Sequence, residues 1–521
     1  MQTNISLLPG KTLLWLFLAF SCVFALNASG HPYSADGITV IMTSKSIASG
    51  KAMALERDFG YQIQDHIHPK SALGADGEYY SKYSPLNSFL MLPLVWIGLN
   101  LHGIMPEGTS PDMQIFFMAG FLNPIITAAT VVCVALLCAG LGISRRSSII
   151  TAAIFGFCTM ALPYSKTSFT EPMAALCICA SLSGAILYRK TESKTALLLA
   201  MAGAALLPLA RLSSIVAVVP VLLYLTTRKD FWKAAVPAGC AVAAGLLIYG
   251  LLNYMRFGSF LETGYGSEAV KFDSPFLIAV YGYIFSSDKS IFAYSPPLLL
   301  AIPGLVIGFR KKLSREMLCI AGIFLISIIV YGRWYGWEGG HAWGPRFMLT
   351  VIPVLMAAAG LFIENAARKP FAKIVLYLLV LLGLTVQFAA TSVKFNPNYE
   401  NISVKYDIED AYSEGRLFSP GAPRFLPFKK QFRVTLAHYS YTFRHIREYL
   451  GHDDYTLDEL KDSKLVENAP DMWPFLVWIS SGVKIRIMVM IIVFVLAAGV
   501  VLSVRALCKS VIYSEKTQPA D

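Results

Sequence analysis

Charged residues are scarce in this chain. Asp, Glu, Lys and Arg make up 15% of its 521 residues, whereas hydrophobic residues make up 55%. Soluble globular proteins carry roughly 25% charged residues, so this composition excludes an ordinary soluble domain. Apolar runs of about 20 residues, enough to cross about 30 Å of hydrocarbon, recur along the sequence. Because lipid offers the backbone no hydrogen-bond partners, these runs predict membrane-spanning helices.

Cysteine is absent from every loop that we predict to lie outside the membrane. Of the nine cysteines, all but Cys508 lie in or beside the apolar runs, and Cys508 lies in the C-terminal tail. The outer loops therefore lack disulfides, and no metal-type Cys spacing occurs. Basic residues form no cluster on one soluble face, which argues against a nucleic-acid partner. External carboxylates could bind a divalent cation, but no ligand spacing demands one, so no cofactor is required.

The apolar runs predict twelve spans and an all-α polytopic membrane protein. The spans are expected near residues 11–28, 115–141, 147–163, 172–188, 195–209, 212–227, 234–254, 294–309, 317–332, 347–363, 372–391 and 485–504. Basic residues, such as Arg145 and Arg146, cluster on alternate connections. By the positive-inside rule these connections and both termini face the cytoplasm. The net charge of +11 is therefore mostly an orientation signal.

This topology divides the chain into three parts. They are a transmembrane catalytic module at 1–391 with a first external loop at 29–114, an external cap segment at 392–484, and a last helix with a cytoplasmic tail at 485–521. Residues 85–102 are apolar, but a span there would place Arg145 outside, so we expect an interfacial helix. The first run resembles a signal peptide. The alternatives are cleavage after Ala28 and an uncleaved signal anchor, which the poor processing site favours.

Two acidic residues stand where predicted spans meet the outer water layer. Asp36 lies in SGHPYSADG, in a turn-forming Asp-Gly pair just past the first span. A carboxylate there could act as general base toward an acceptor hydroxyl, although Asp-Gly is also an ordinary turn signal. Glu171 follows Thr170, the predicted N-cap of a helix, in YSKTSFTEP. An acid in the first helical turn is common, yet this one would face the same water layer as Asp36, which makes Glu171 a second candidate catalytic carboxylate of the pocket.

Further candidates for substrate binding are cationic or aromatic residues of the outer surface. They are Tyr80, Lys82, Arg211, Tyr265, Lys289, Trp337, His341 and Arg346. Arg211 breaks the charge pattern, because arginine is disfavoured on the outer side, and a buried carboxylate or a lipid phosphate is its natural partner. Arg346 can fork two phosphate oxygens, and glycines between the tryptophans of YGRWYGWEGGHAWGPRFM let that loop approach a ligand closely. Interfacial aromatic belts and snorkelling lysines are the plainer explanation.

Five of these stretches together resemble the GT-C superfamily of membrane glycosyltransferases. The resemblance is to bacterial members related to protein O-mannosyltransferases and lipid A aminoarabinose transferases, over about residues 10–365. The stretches are HPYSADG, DGEYYSKYSPLNSFLMLP, YSKTSFTEP, ETGYG with FSSDKSIFAYSPP, and WYGWEGGHAWGPRF. Protein O-mannosyltransferases carry an Asp-Glu pair in the first loop, whereas Gly37 follows Asp36 here, so the resemblance does not extend to a protein acceptor.

The resemblance implies an inverting glycosyltransferase in the bacterial inner membrane, with its active site facing the periplasm. The donor would be a sugar carried on a polyprenyl phosphate, and the acceptor a hydroxyl of a glycan or lipid. Asp36 would match the family's base, and the leaving phosphate would be held by cations such as Lys82, Arg211, Lys289 or Arg346. No Gly-rich phosphate loop follows a strand, which fits a donor without a nucleotide.

Two other classes of protein are weighed against this one. A transporter or lipid flippase tends to carry ionisable residues inside its spans and broken, repeated helices. The predicted span interiors here are almost free of charge, and no internal repeat is visible. A scaffold for envelope assembly without catalytic activity is the third alternative. Residues 392–484 resemble no family that we can name. The basic and aromatic stretch at 423–450 could lie on anionic head groups, grip an acidic glycan acceptor or form the solvated face of a small cap domain, which we favour.

Overall fold

The structure of the protein is a computed structural model. It describes residues 8–56, 70–101, 110–227, 230–286, 289–340, 342–366, 369–392, 470–479 and 483–516, with single residues between 413 and 444. Most of the predicted cap segment therefore lies outside the described residues. The described part is predominantly helical, as the composition predicts, and its only sheet has three short strands.

The helices are numbered in chain order. They are α1 Gly10–Asn27, α2 Ala35–Ala48, α3 Leu86–Leu99, α4 Pro111–Ala119, α5 Leu122–Gly140, α6 Arg145–Cys158, α7 Ala161–Ser165, α8 Glu171–Thr191, α9 Lys194–Ala210, α10 Val218–Thr226, α11 Ala235–Phe257, α12 Phe276–Val280, α13 Ile291–Tyr294, α14 Ala301–Arg310, α15 Ser314–Arg333, α16 Ile352–Ala366, α17 Pro370–Ser392, α18 Trp473–Ile479 and α19 Val483–Lys516. Tighter 3₁₀ turns include Leu212–Ala217, Gly266–Val270, Pro296–Leu300 and Arg346–Val351.

Eight helical stretches among the described residues are long and apolar enough to cross a membrane. They are Gly10–Asn27, Pro111–Gly140, Glu171–Thr191, Phe231–Phe257, Ser314–Arg333, Arg346–Ala366, Pro370–Ser392 and Lys484–Ser510. The chain is thus a multi-pass membrane protein. The expected count of twelve spans is not confirmed.

The remaining four predicted spans coincide with shorter helical stretches. These are Arg145–Cys158, Lys194–Ala210, Leu212–Thr226 and Pro296–Arg310. A helix of about 15 residues rises only about 22 Å, which is less than the hydrocarbon thickness. Helix α3, in the segment predicted to be interfacial, is also short, with 14 residues and Pro93 inside it.

The first loop is more regular than its sequence suggests. The prediction that Asp36-Gly37 forms a turn is wrong, because both residues lie in the first turn of α2, where the Ser34 hydroxyl accepts a hydrogen bond from the Gly37 N–H. A serine N-cap followed by an acid in the first turn favours a helix start. The strands β1 Ala54–Leu55, β2 Ser71–Leu73 and β3 Tyr79–Ser81 form a small antiparallel sheet with β3 in the centre.

Helix α8 forms the centre of the bundle. It packs chiefly against α5 and α9, and 94% of its spanning stretch is buried, whereas only 11% of the stretch in α19 is buried. An exposed apolar helix suits a lipid-facing position, and a buried one must be packed by protein on all sides. Because α8 is packed on all sides, the residues of its first turn have a fixed position relative to the rest of the bundle. We call the end of the bundle at which α1 ends and α8 begins the upper end.

Candidate active site

Four ionised side chains meet at the upper end in an alternating chain that we call the quartet. The quartet consists of Asp36, Arg346, Glu171 and Arg211. Arg346 donates from one guanidinium nitrogen to Oδ2 of Asp36 at 2.8 Å, although the two residues are 310 positions apart in sequence. Arg346 Nε also lies 2.8 Å from Glu171 Oε1, and Arg211 donates to that same oxygen at 3.0 Å. The structure thus brings together both predicted acids and both predicted arginines.

The quartet sits where helices begin and end. Glu171 is the first residue of α8, Arg211 follows the last residue of α9, and Arg346 opens the 3₁₀ turn that leads into α16. Thr170 occupies the predicted N-cap position, but its side chain makes no capping hydrogen bond. The acid at the α8 start also has favourable helix-dipole chemistry. Rigid helix ends therefore position three of the four charges.

The pKa of Asp36 lies below its ordinary value. Burial of the carboxylate opposes ionisation, but the charges of Arg346 and Lys70 and hydrogen bonds from Tyr83 and Arg346 outweigh it and lower the pKa. The Lys70 ammonium lies 3.9 Å from Oδ1 of Asp36. Burial and the neighbouring Asp36 charge raise the pKa of Tyr83 well above its usual range. At neutral pH the site therefore holds an ionised carboxylate beside a neutral phenol.

A cavity of about 280 Å³ adjoins the quartet on the Arg211 side. Aromatic side chains form much of its wall, and its two cationic lining residues are Lys82 and Arg211. Tyr83 also lines this cavity, and it is one of the groups that lower the pKa of Asp36. Arg211 Nε has no hydrogen-bond partner among the described residues. An arginine with an unused donor at a cavity wall can accept an anionic ligand.

Lys82 and Tyr265 lie together on the cavity wall. The Lys82 ammonium donates to Oε2 of Glu268 at 2.9 Å and lies 4.8 Å from the centre of the Tyr265 ring. Burial raises the pKa of Tyr265 despite the opposing charge of Arg211. Arg256, which the sequence did not single out, donates to the carbonyl oxygens of Ser81 and Tyr83 at 2.7 and 3.3 Å. Arg256 therefore fixes the backbone on both sides of Lys82.

Lys289 and Trp337 lie away from the cavity lining and organise the tryptophan-rich loop. The buried Lys289 ammonium donates to the carbonyl oxygens of Gly340 and Gly344 at 3.2 and 3.4 Å. Gly344 has a φ of +64°, and a Cβ there would lie 2.6 Å from the Tyr294 ring, so only glycine fits. The fully buried Trp337 accepts a hydrogen bond from the Tyr283 hydroxyl at its carbonyl oxygen, at 2.6 Å. These contacts shape the loop that delivers Arg346.

Tyr80, another predicted binding residue, makes its side-chain hydrogen bond away from the quartet. The Tyr80 hydroxyl donates to Asp76 in the turn before β3 at 2.6 Å, and burial with that hydrogen bond raises its pKa to about 12. His341 lies outside the described residues. Sequence reasoning missed Tyr83, although it stands beside Tyr80 and Lys82 in the same quoted motif. It also gave Lys70 no role, because nothing local marks either residue as a neighbour of Asp36.

The described residues contain no group of three or more His, Cys, Asp and Glu side chains that could hold a metal ion. Both carboxylates of the quartet are engaged by arginines. Oxygen-rich clusters with several free carboxylate oxygens are what Mg²⁺ and Ca²⁺ prefer. The arrangement resembles an anion site more than a cation site.

Solved structures of two membrane glycosyltransferases of the GT-C type are similar to this chain. ArnT from Cupriavidus metallidurans bound to undecaprenyl phosphate matches with a TM-score of 0.47 and 12% identity, over 96% of this chain and 77% of ArnT. The apo oligosaccharyltransferase of Archaeoglobus fulgidus matches with a TM-score of 0.43 and 12% identity, over 79% of this chain. This chain spans 60% of the length of that oligosaccharyltransferase.

No family model and no curated protein sequence matches the chain. The structural matches concern the chain path alone at this identity. The chemistry of the site must therefore be inferred from its own residues.

Proposed function

We propose that this protein transfers a sugar from a polyprenyl-phosphate donor to an acceptor hydroxyl, with inversion at the anomeric carbon. The observation that carries the proposal is a buried Asp36 carboxylate that is joined through Arg346 and Glu171 to Arg211, which brings a positive charge to the cavity wall. One group can accept a proton, and the other can stabilise a departing phosphate. The acceptor class, a glycan or lipid hydroxyl, follows from the resemblance of the motifs.

The proposed step has a simple electron balance. The acceptor oxygen forms a bond to the anomeric carbon while the bond from that carbon to the phosphate oxygen breaks. The phosphate leaves with the bonding electrons and an added negative charge, and the hydroxyl proton passes to Asp36. Attack from the face opposite the leaving group inverts the configuration. Holding both reactants in this geometry removes much of the entropic barrier.

Because its pKa is lowered, Asp36 is a weak base, but it stays ionised and able to accept a proton. The carboxylate is in its proton-accepting form across the physiological pH range. A free alcohol would not give its proton to such a base, but its acidity rises steeply as the new bond to carbon forms. Proton transfer is therefore late, and Asp36 chiefly orients the hydroxyl before that. The Arg346 contact keeps the carboxylate in the orientation that this requires.

Arg211 is the residue best placed to bind the phosphate of the donor, and Lys82 is the second cation of the cavity. Both are already paired with glutamates, at 3.0 and 2.9 Å, so an incoming phosphate shares or replaces a carboxylate. Arg346 acts on Asp36 and Glu171 instead, and the Lys289 ammonium is used by loop carbonyls. A direct phosphate contact from Arg346 or Lys289 remains a prediction with less support.

The remaining parts of the proposal concern place and partners. Basic residues on alternate connections support a site on the outer face of the bacterial inner membrane, toward the periplasm. The donor and the membrane lipids are the expected partners, and no cofactor is needed for the step above. A transporter or flippase is less favoured, because the quartet lies at helix ends and not within the spans.

The test is sugar transfer in proteoliposomes that contain a radiolabelled polyprenyl-phosphate sugar and an acceptor glycolipid. Wild-type protein should transfer label, and Asp36→Asn should reduce turnover by about 10²-fold to 10⁴-fold. The matched control is Asp112→Asn, which removes another loop carboxylate that pairs with Lys45 at 2.9 Å. The control should retain full turnover.

Unchanged transfer by Asp36→Asn would remove Asp36 as the base. Movement of a fluorescent lipid-linked glycan between leaflets, without any transfer of sugar, would favour the flippase instead. Failure of the wild type in both assays would favour a scaffold without catalytic activity. Testing several sugars on one lipid carrier in the same assay would identify the donor.

A further inference from the structure

A second buried cluster of charge lies close to the quartet, and the proposed reaction does not use it. We call it the junction, and it consists of His31, Tyr33, Lys166 and Asp471. Its members come from the segment after α1, the segment between α7 and α8, and the segment before α18. Side-chain exposure is 0% for Lys166 and 6% for Asp471, so the pair is buried. None of the four residues lines the cavity.

The Asp471 carboxylate is the centre of the junction. Its Oδ1 contacts His31 Nε2 at 2.7 Å, and its Oδ2 accepts from the Tyr33 hydroxyl and lies 2.8 Å from the Lys166 ammonium in an ion pair. His31 Nδ1 faces the carbonyl oxygen of Pro32 at 3.1 Å. A carboxylate and a carbonyl oxygen only accept hydrogen bonds, so the donor in a hydrogen bond to either of them is an imidazole N–H.

Lys166 completes the junction from the other side. Its ammonium also donates to the carbonyl oxygens of Thr391, at 2.7 Å, and of Asp471. The Asp471 N–H donates to the carbonyl oxygen of Ser392 at 2.9 Å. The backbone at the end of α17 is thereby tied to the start of the segment that leads to α18. A buried ion pair with this many hydrogen bonds is costly to disturb.

Two arms lead from the junction to the two acids of the quartet. The first arm runs from His31 through Tyr33 to the Ser34 N-cap and reaches Asp36 five positions after His31. The second runs from Lys166 and reaches Glu171 five positions later. The arms also touch each other, since a Cβ on Gly37 would lie 2.9 Å from that of Ser168, and the Ser29 hydroxyl donates to the carbonyl oxygen of Lys166 at 3.2 Å.

We propose that Asp471, together with His31, Tyr33 and Lys166, is a positioning centre that fixes Asp36 and Glu171 relative to each other. Its position implies that the chain just before the last span controls the catalytic geometry at a distance. We place none of the four residues in contact with the substrate, because none of them lines the cavity. Because a displacement of about 1 Å at a reacting group can cost about 10²-fold in rate, a rigid common anchor for both arms matters. This inference rests on the proposed function for the roles of the two acids.

The obvious variant, Asp471→Asn, leaves Lys166 buried without a countercharge and risks loss of folding. Tyr33→Phe and the double variant Tyr33→Phe with His31→Gln keep the Lys166–Asp471 ion pair and release only the first arm. We expect kcat to fall about 10-fold to 100-fold in the double variant, with less change in Tyr33→Phe. The KM for the lipid-linked donor should stay within about twofold, because the junction lies outside the cavity.

The matched control is Tyr224→Phe. Tyr224 is a buried tyrosine whose hydroxyl donates to the carboxylate of Glu316 at 2.9 Å, so the change removes the same kind of contact. The Tyr224 carbonyl oxygen accepts a hydrogen bond from Arg189, a residue in the last turn of α8. Arg189 lies about 27 Å along α8 from Glu171, so the control is remote from the quartet. The control should retain kcat. An unchanged kcat in the folded double variant, or equal losses in kcat and melting temperature in both tyrosine variants, would overturn the positioning role.

Hydrogen exchange of the purified protein without substrate tests the same inference independently of catalysis. The amides of Gly37 and Ile38 bond to the Ser34 side chain and carbonyl oxygen at 3.2 and 3.0 Å. They should exchange about tenfold faster in the double variant and at the wild-type rate in Tyr224→Phe. If these amides exchange faster in the double variant but neither the wild type nor any variant transfers sugar, the proposed function is wrong and the positioning centre is retained. Unchanged exchange would sink the positioning centre alone.

Discussion

The quartet and the junction are both buried clusters of charge, and they differ in how completely their donors are used. In the junction, every side-chain polar atom described above finds a partner. In the quartet, Arg211 Nε has none among the described residues, and Arg346 Nε is close to Glu171 without the alignment of a hydrogen bond. Arg211 lines the cavity and can bind a ligand there, whereas the saturated junction holds structure.

The same contrast appears in exposure. The Arg211 and Arg346 side chains keep 14% and 13% of their surface, whereas Lys166 keeps none. A ligand can reach the first two without unfolding the protein. Substitutions at the two quartet arginines should therefore act mainly on turnover and binding, whereas substitutions at the fully buried Glu171 and Lys166 should also cost stability. The four changes below test that division, beginning with the largest expected effect.

The largest effect is expected for Glu171→Gln. This change leaves two buried guanidiniums without the carboxylate that they share, and it removes one of the proposed catalytic acids. We expect the free energy of unfolding to fall by about 4 kcal/mol and sugar transfer to be lost. Unfolding in denaturing detergent mixtures, followed by tryptophan fluorescence, measures the first. A fully stable variant would mean that Arg346 and Arg211 find other partners.

Lys166→Met should cost somewhat less, about 3 kcal/mol, because Asp471 keeps its hydrogen bonds from His31 and Tyr33. The same detergent titration measures it, with Lys51→Met as the control. Lys51 pairs with Glu56 at 2.9 Å but is 57% exposed, so its loss should hardly change stability. If Lys166→Met and Lys51→Met lower the free energy of unfolding by the same amount, the junction contributes no more to stability than an exposed ion pair does.

The pH dependence of turnover should separate the two clusters further. Because the pKa of Asp36 is lowered in the folded protein, its ionisation adds stability that is complete above about pH 3.9 and is lost as the pH falls through the folded pKa. The acid limb of kcat should likewise lie below that pH. Lys70→Gln should move the limb to higher pH by less than about one unit, since it removes one attractive charge.

Lys51→Gln, in the same loop, is the control for that profile and should leave the limb in place. A limb near pH 6 in the wild type would show that a group other than Asp36 governs the rate. The same profile recorded for Tyr33→Phe should keep the wild-type limb while losing amplitude. That outcome distinguishes a change of position from a change of charge.

The smallest effect is expected for Glu268→Gln. Glu268 pairs with Lys82 at the cavity wall, but its side chain is 43% exposed, so the stability change should stay under about 1 kcal/mol. Releasing Lys82 from its carboxylate should lower the KM for the lipid-linked donor by a few-fold. The Lys82 ammonium then no longer has to give up a carboxylate partner in order to bind the phosphate. A raised KM would indicate that Glu268 itself contacts the sugar. Titration with polyprenyl phosphate alone distinguishes the two.

Local sequence was a good guide to which residues matter and a poor guide to how they are used. Asp36, Glu171, Arg211 and Arg346 were all singled out, because charge at a predicted membrane boundary is costly and therefore conspicuous. Lys289 was conspicuous for the same reason, yet its ammonium serves loop carbonyls. Tyr83 belongs to the same basic aromatic patch as Tyr80 and Lys82 but received no role of its own, since one tyrosine among several carries no local sign of its partner.

The prediction for Asp36-Gly37 shows a different limit. An Asp-Gly pair favours a turn, but Ser34 in front of it supplies an N-cap, and the following residues pack as α2. Gly37 is small where Ser168 approaches, so the glycine serves a close contact and not a turn. Asp471 lies in the predicted cap, which resembles no known family, and no pattern in the chain joins it to Lys166.

The sequence by itself determined the class of this protein, since hydrophobic runs in lipid can satisfy their backbone only as helices. It also determined which few charges had to be explained. Only the tertiary structure decided which charges meet, because Asp36 and Arg346 are 310 positions apart and their contact depends on how helices pack. Helix formation is governed by neighbours along the chain, whereas an ion pair between helix ends is governed by the packing of the whole bundle.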